Sequence, residues 1–335
     1  MRKQSRFRLG LSTLLLICLA LSLACRPEPP AQPAQAPQNV SIRLAWVPDM
    51  AEAGIFVARE KGIFQREGLV VDVQPGGFGL DPLKLVASGG NDFGIAGAGN
   101  LLLAREQGLP VVAIAAEFQA TPVGFVTRKE SGIVSFADFR GRRVGIQTGA
   151  DTDVLYRALL SRNNMTSKDV KEVPIQYDMS PFVSNQIDVL PGYVTNQPIT
   201  LRSQGVDINV LSAASLGASY YGNVLFTTEE MIKKRPEVVR RFVLAFRDGW
   251  ALALADKEAA KTSLMAYTKD FRAEDLDQIY DAVMPFIRPG GGGSQVLQMD
   301  RERWASTYQI LKDAGLSKEA KPVESAFTVD FLPRN

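Results

Sequence analysis

Histidine is absent from all 335 residues. Its absence removes Ser-His-Asp and Cys-His constellations, the commonest general base and the commonest metal ligand. Cysteine is nearly absent: only Cys18 and Cys25 occur. The chain beyond Cys25 therefore has no thiol pair for a disulfide or a zinc site, and its fold rests on its core. No Gly-Lys-Ser/Thr phosphate loop is present, so any ATP hydrolysis belongs to a separate subunit. Gly97-Ala98-Gly99 opens like a dinucleotide loop but lacks the third glycine. No basic stripe with interleaved aromatics marks a nucleic-acid partner, and no repeat of about 20–50 residues marks a solenoid.

What is present begins with Arg2, Lys3, Arg6 and Arg8, followed by an apolar run from Leu9 to Ala24. The run is too short and too abruptly ended for a comfortable membrane span, and small residues precede Cys25, so residues 1–24 read as a signal peptide. Leu21-Ser22-Leu23-Ala24-Cys25 resembles a bacterial lipobox, in which the cysteine becomes the lipidated first residue of the mature chain. Ser22 departs from the leucine usual there, and cleavage after Ala24 without a lipid is the alternative. Residues 25–39, dense in Pro, Ala and Gln, read as an extended tether. The chain is thus expected to be exported and held on the outer side of the plasma membrane, in a periplasm or at the cell surface. Without the four leading cations the formal charge of +2 turns slightly negative, and the remaining length suits two domains.

From Val40 strands and helices alternate. Val40–Trp46, Leu69–Val73, Phe93–Ala96 and Val111–Ala116 read as strands, and Ala53–Lys61, Leu83–Ala87 and Leu101–Gln107 as helices. Asp81-Pro82 supplies an N-cap and a first-turn proline. The rhythm restarts after Pro122 with strands Val123–Thr127, Val144–Gln147 and Ile187–Tyr193, a short helix capped by Ser135, and helices Thr152–Arg162 and Pro198–Gln204. A strand at Asn223–Thr227 precedes a long helix, Pro236–Ala255, with Val239, Phe242, Phe246, Trp250 and Leu254 on one face. The alternation predicts an α/β architecture with mainly parallel sheets. Ligands in such folds sit beyond the carboxyl ends of strands, which singles out the loops Val47–Glu52, Gly97–Asn100, Thr148–Thr152 and Thr195–Gln197.

Trp46-Val47-Pro48, Ala53-Gly54-Ile55-Phe56-Val57-Ala58-Arg59-Glu60-Lys61-Gly62, Glu67-Gly68-Leu69, Pro75-Gly76-Gly77, Ala87-Ser88-Gly89 with Asp92-Phe93-Gly94-Ile95, Gln107-Gly108-Leu109-Pro110-Val111-Val112, Ser131-Gly132-Ile133, Pro191-Gly192-Tyr193-Val194-Thr195-Asn196-Gln197-Pro198 and Asp248-Gly249-Trp250 follow one another over nearly all of residues 41 to 255. In that order and spacing they resemble periplasmic solute-binding proteins for thiamine pyrimidine precursors and their relatives, including a riboflavin-binding branch to which this chain is most similar. The resemblance implies a type II periplasmic-binding fold: two lobes around a cleft, each a mainly parallel sheet flanked by helices. Lobe one would be residues 40–120 plus 220–335 and lobe two residues 121–219, with crossings near Phe118–Val123 and Ala218–Tyr221. It also implies a small-molecule ligand, an ABC permease and a separate ATPase subunit, with no cofactor and no catalysis. Eukaryotic enzymes that make the thiamine pyrimidine share this fold and use a histidine and a cysteine-rich motif, both missing here.

Planar heteroaromatic ligands are held by aromatic faces and a few orienting polar groups. The expected binding set, drawn from the loops and crossings above, is Trp46, Asp49, Glu52, Asn100, Phe118, Gln119, Thr148, Thr152, Tyr193, Asn196, Gln197 and Tyr221. Tyr220 and Tyr221 point to opposite faces if extended, so at most one of the two lines the cleft. Asp151 and Asp153 cap the start of a helix and disfavour an anionic solute there. Relatives that bind aminopyrimidines place glutamate in the Thr-Asn-x-Pro segment, where this chain has Gln197. An amide suits an imide edge such as that of flavin, which puts riboflavin first. The thiamine pyrimidine precursor stands as the alternative, with Asp49, Glu52 or Glu117 supplying a carboxylate. Cys25→Ala is expected to move the protein from the membrane fraction to the soluble exported fraction without affecting folding. An unmodified Cys25 at the mature N-terminus, seen by mass spectrometry, would overturn the lipid anchor.

Overall fold

A computed structural model describes residues 36–77, 79–176, 178–290, 296–318 and 322–333. The expected signal peptide, Cys25 and the expected tether as far as residue 35 lie outside the described residues; Gln38 and Asn39, expected at the end of the tether, instead belong to the first strand, because they pair with Leu69 and Val70. The described strands form two five-stranded sheets. The first has the order β2-β1-β3-β10-β4, built from β1 (Gln38–Arg43), β2 (Leu69–Gln74), β3 (Phe93–Gly97), β4 (Val111–Ala116) and β10 (Asn223–Thr228). β1 is parallel to β2 and β3, while β10 is antiparallel to β3 and β4. The second sheet repeats the plan as β7-β6-β8-β5-β9, from β5 (Val123–Arg128), β6 (Arg143–Ile146), β7 (Lys171–Pro174), β8 (Val189–Tyr193) and β9 (Ile208–Ser212). Here β5 is the reversed strand, antiparallel to β8 and β9. The fold is α/β, as the alternation predicts, and two-lobed, as the resemblance implies, but the sheets are mixed rather than mainly parallel, because one reversed strand in each makes both of its pairings antiparallel. β3 and β4 are buried along their whole length, as continuous apolar runs covered on both faces must be.

The chain leaves the first sheet after Ala116 and enters the second at Val123; it returns between Ser212 and Asn223. β10 then completes the first sheet, and the helices after it cover the sheet. Most sequence expectations hold to within a residue or two: Val111–Ala116 and Pro236–Ala255 coincide with the observed elements, and Asp81 accepts from the N–H groups of Leu83 and Lys84. Three differ. β1 ends at Arg43, because the chain bends over residues 45–48 and the Trp46 carbonyl accepts from Gly76 N–H at 2.9 Å. The Ala98–Glu106 helix begins three residues before Leu101, which puts Asn100 in its first turn. β7 and β9 were not expected: both are short, and their alternation is interrupted by a proline or by polar residues.

The tightest packing of the first lobe lies between the Ala53–Glu60 and Pro236–Ala255 helices. A Cβ on Gly249 would stand 2.1 Å from the Gly54 carbonyl oxygen, and one on Gly54 would stand 2.5 Å from the Trp250 ring. The two glycines let the helices touch backbone to backbone and lay the Trp250 indole flat against Gly54. Gly249→Ala is therefore expected to lower stability by about 1–3 kcal/mol through overpacking, although alanine is the better helix former by about 1 kcal/mol. A urea melt checks this, and an unchanged or raised midpoint would show that the helices part without cost.

Candidate functional site

Three carboxylates of the first lobe converge at the edge facing the second. Asp49 caps the short turn Met50–Glu52 and accepts from Ala51 N–H at 2.6 Å. Glu52, next in that turn, is 1 % exposed, and Glu117, just past β4, is fully buried. The N–H groups of Glu117 and Phe118 both donate to the Asn223 carbonyl, each at 3.0 Å, which fixes Glu117 over the start of β10. Among the described residues Glu52 Oε2 and both Glu117 oxygens lack a hydrogen-bond partner of good geometry, although the Trp250 indole acts on Glu117. Burial pushes Asp49 up, and the Ala51 N–H and the side chains of Glu52 and Asn196 offset this in part. Burial and the neighbouring charges of Asp49 and Glu117 push Glu52 well above the carboxylate range. A hydrogen bond between Glu52 and Asp49 raises the first and lowers the second, as when the proton stays on Glu52 and is donated to Asp49. Burial raises Glu117 strongly too, with the Trp250 indole opposing and Asp49 adding to it. Among the described residues no group of acidic side chains is arranged to hold a metal ion.

The second lobe meets this edge at several points. Asn196 hydrogen-bonds the Asp49 carboxylate. The Tyr193 hydroxyl donates to Asn223 Oδ1 at 3.2 Å, and its ring centroid lies 6.4 Å from that of Phe118. Asn100 Nδ2 donates to the Gly149 carbonyl at 3.3 Å. Asp151, at the start of the Asp151–Arg162 helix, rests its carboxylate over Gly97: a Cβ built there would fall 1.9 Å from Oδ1. Both Asp151 oxygens are unpartnered, and burial pushes its carboxyl up to about 7. Val154 and Ile199 join the core of the first lobe, and Ile310 that of the second. The lobes are in contact along this seam.

Of the residues expected to bind ligand, Asp49, Glu52, Phe118, Tyr193, Asn196 and Asn100 are brought together there. Tyr221 is not. It is buried in the core of the first lobe, donating to Asp300 Oδ2 at 3.1 Å and accepting from Asp300 N–H at 2.9 Å. Its neighbour Tyr220 is the one turned toward the seam, where its buried hydroxyl feels the charge of Asp151. Gln119 is a stitch in the crossing segment: its Nε2 donates to the Ala116 and Gln298 carbonyls at 3.0 Å, and its N–H to that of Phe286 at 2.7 Å. Thr152 is buried with its hydroxyl donating to Gln147 Oε1 at 2.9 Å, while Thr148 is exposed. Trp46 is half-buried in the bend after β1 rather than at a strand end. Gln197 folds back over Gly192, its Oε1 accepting from Tyr193 N–H at 2.8 Å. Asn223 and Trp250 were missed. Only the position of Asn223, first in a strand after a crossing, could have flagged it.

These raised carboxyls carry a sign. Across the window from the ordinary carboxylate range, about pH 4, to about 7 for Asp151, the native state binds more protons than the unfolded one. Stability is then fully present at the acid end and falls as pH rises. Asp188, held down by Arg143, acts below this window. The ligand-free protein is expected to melt at a higher temperature at about pH 5 than at about pH 8, with the decline reduced in Asp151→Asn. A flat profile for the wild type would overturn this assignment.

Residues 50–260 match the family described as NMT1/THI5 like. The riboflavin-binding protein RibY of Chloroflexus aurantiacus is 30 % identical over 97 % of this chain and 98 % of its own. The 4-amino-5-hydroxymethyl-2-methylpyrimidine phosphate synthase of Legionella pneumophila is 24 % identical over 88 % of this chain and 92 % of its own. Among solved structures, the alkanesulfonate-binding protein SsuA of Xanthomonas axonopodis pv. citri superposes with a TM-score of 0.71 at 14 % identity, over 88 % of this chain and 99 % of that one. At that identity the likeness concerns the fold. With the family match spanning most of the chain and a full-length relative beside it, this protein belongs to the NMT1/THI5-like family.

Proposed function

We propose that this protein is the extracytoplasmic solute-binding component of an ATP-driven importer, held at the membrane through a lipid on Cys25, and that it captures riboflavin between its lobes. The observation that carries the reading is the set of buried carboxylates at the seam. Glu52 and Glu117 have oxygens without partners, and such groups are costly unless a ligand supplies donors. Riboflavin brings an imide N–H and a chain of hydroxyl donors, with a ring system that suits the Phe118 and Tyr193 faces. Full-length similarity to a riboflavin-binding protein supports the choice. Lobe one would be residues 40–120 plus 220–335 and lobe two 121–219, hinged at the two crossings. Binding would favour the closed state through contacts made only there. A permease and a separate ATPase subunit complete the importer.

Gln197 separates flavin from the alternative. With Oε1 held by Tyr193 N–H, the group left to offer is its NH2, a donor that matches a flavin carbonyl. An aminopyrimidine, which presents donors, is favoured by Glu52 and Glu117 and by the similarity to a synthase named for one. A synthase activity has no histidine to draw on.

Gln197→Glu keeps the acceptor for Tyr193 N–H, so the turn is retained, and replaces the donor by a second, charged acceptor. It is expected to weaken riboflavin binding by about five- to a hundredfold, the effect of leaving a polar group unsatisfied at about 1–3 kcal/mol. Quenching of riboflavin fluorescence by wild type and variant measures it. Equal affinities would make Gln197 a bystander. A wild type that leaves riboflavin unquenched and binds an aminopyrimidine would establish the second reading.

A further inference from the structure

The seam contains one carboxylate that the reading above does not use. Asp151 opens the 12-residue helix Asp151–Arg162 and is 8 % exposed, with neither oxygen hydrogen-bonded. Its carboxylate covers Gly97, the N-cap of the 9-residue helix Ala98–Glu106. It therefore sits where two helix N-termini meet, one from each lobe, and neither helix has a side-chain cap. Its neighbour in the same turn is treated differently: Asp153 is neutralised by Arg157 at 2.9 Å and accepts from Gly149 N–H at 3.1 Å. Among the described residues no cation pairs with Asp151. Gly97 pairs with Asn223 across the sheet, and Asn223 receives the Tyr193 hydroxyl, so this junction is continuous with the ligand-binding seam.

The place where two helix N-termini meet favours a negative group by their dipoles, although at Asp151 burial outweighs them and pushes the carboxyl up. We propose that Asp151 is a specificity-determining residue: its carboxylate already fills that place, so the cleft accepts a neutral heteroaromatic alcohol and rejects its phosphate ester or any sulfonate. A second anion would meet a like charge away from water, and the repulsion weakens its binding. A bare pair of N-termini would have welcomed it. Gly97 is required for this role, since any side chain there would strike the carboxylate.

The inference rests on the flavin reading only for its first probe. Riboflavin and riboflavin 5′-phosphate are titrated by fluorescence at pH 8, above the value of about 7 to which burial pushes Asp151, against wild type, Asp151→Asn and Asp151→Ser. The wild type is expected to prefer riboflavin by about a hundredfold, and both variants to narrow that gap at least about tenfold by gaining the ester. Both variants should fold, because each removes a buried charge that has no partner. A wild type that binds both probes equally, or a gap unchanged in the variants, overturns the proposal. If neither flavin binds, the flavin reading fails, and the inference is read from sulfate instead. The melting temperatures of the variants should rise with sodium sulfate more than that of the wild type, relative to sodium chloride of equal ionic strength. The comparison with wild type removes the general stabilisation that sulfate gives to any fold. Equal responses in all three proteins overturn the proposal.

Discussion

Carboxylates buried without partners are the constraint around which the rest of this protein is arranged. An ionised group taken out of water without a counter-charge costs far more than a hydrogen bond returns, and here burial pushes the carboxyls of Glu52, Glu117 and Asp151 toward their protonated forms. The framework must hold them there regardless. Trp250 lies against Gly54 and acts on Glu117, the Asn223 carbonyl takes the N–H groups of Glu117 and Phe118, and Gly97 leaves room for Asp151. The close crossing of the Ala53–Glu60 and Pro236–Ala255 helices thus serves the site as well as the core. Stability given up at one seam is offset by packing that needs no charge.

Much of the fold was legible because its signals are local. Apolar runs at Val111–Ala116 and along Pro236–Ala255, and the Asp81-Pro82 start, depend on neighbours a few residues away. The site was legible only in part. Asp49, Glu52, Tyr193 and Asn196 lie just beyond strand ends and fall where α/β folds put ligands. Tyr221 misled, because two adjacent tyrosines in an extended segment differ only in what lies on either side. Beside Tyr221 is Asp300, 79 positions further along. Gln119 and Thr152 misled in the same way: each stands in the right loop, and each has its polar atoms committed to the backbone or to Gln147. Glu117 could be read as a carboxylate in a crossing segment, but not as a buried one, since its burial comes from Trp250 and from a strand encoded more than a hundred residues later.

The place of β10 has a consequence for how the molecule comes into being. β3 and β4 are not paired with each other; each pairs with β10, which is made only after all of the second sheet. A chain that emerges N-terminus first therefore carries an incomplete first lobe, with β4 cut off from the rest of its sheet, until residue 228 has appeared. The second lobe, contiguous in sequence, is free to form earlier. The long sequence separation between β3 and β10 makes the first lobe the slow step, because distant ends must be brought together before their pairing stabilises anything. The binding seam, which needs both lobes, can exist only once that last strand has closed the gap.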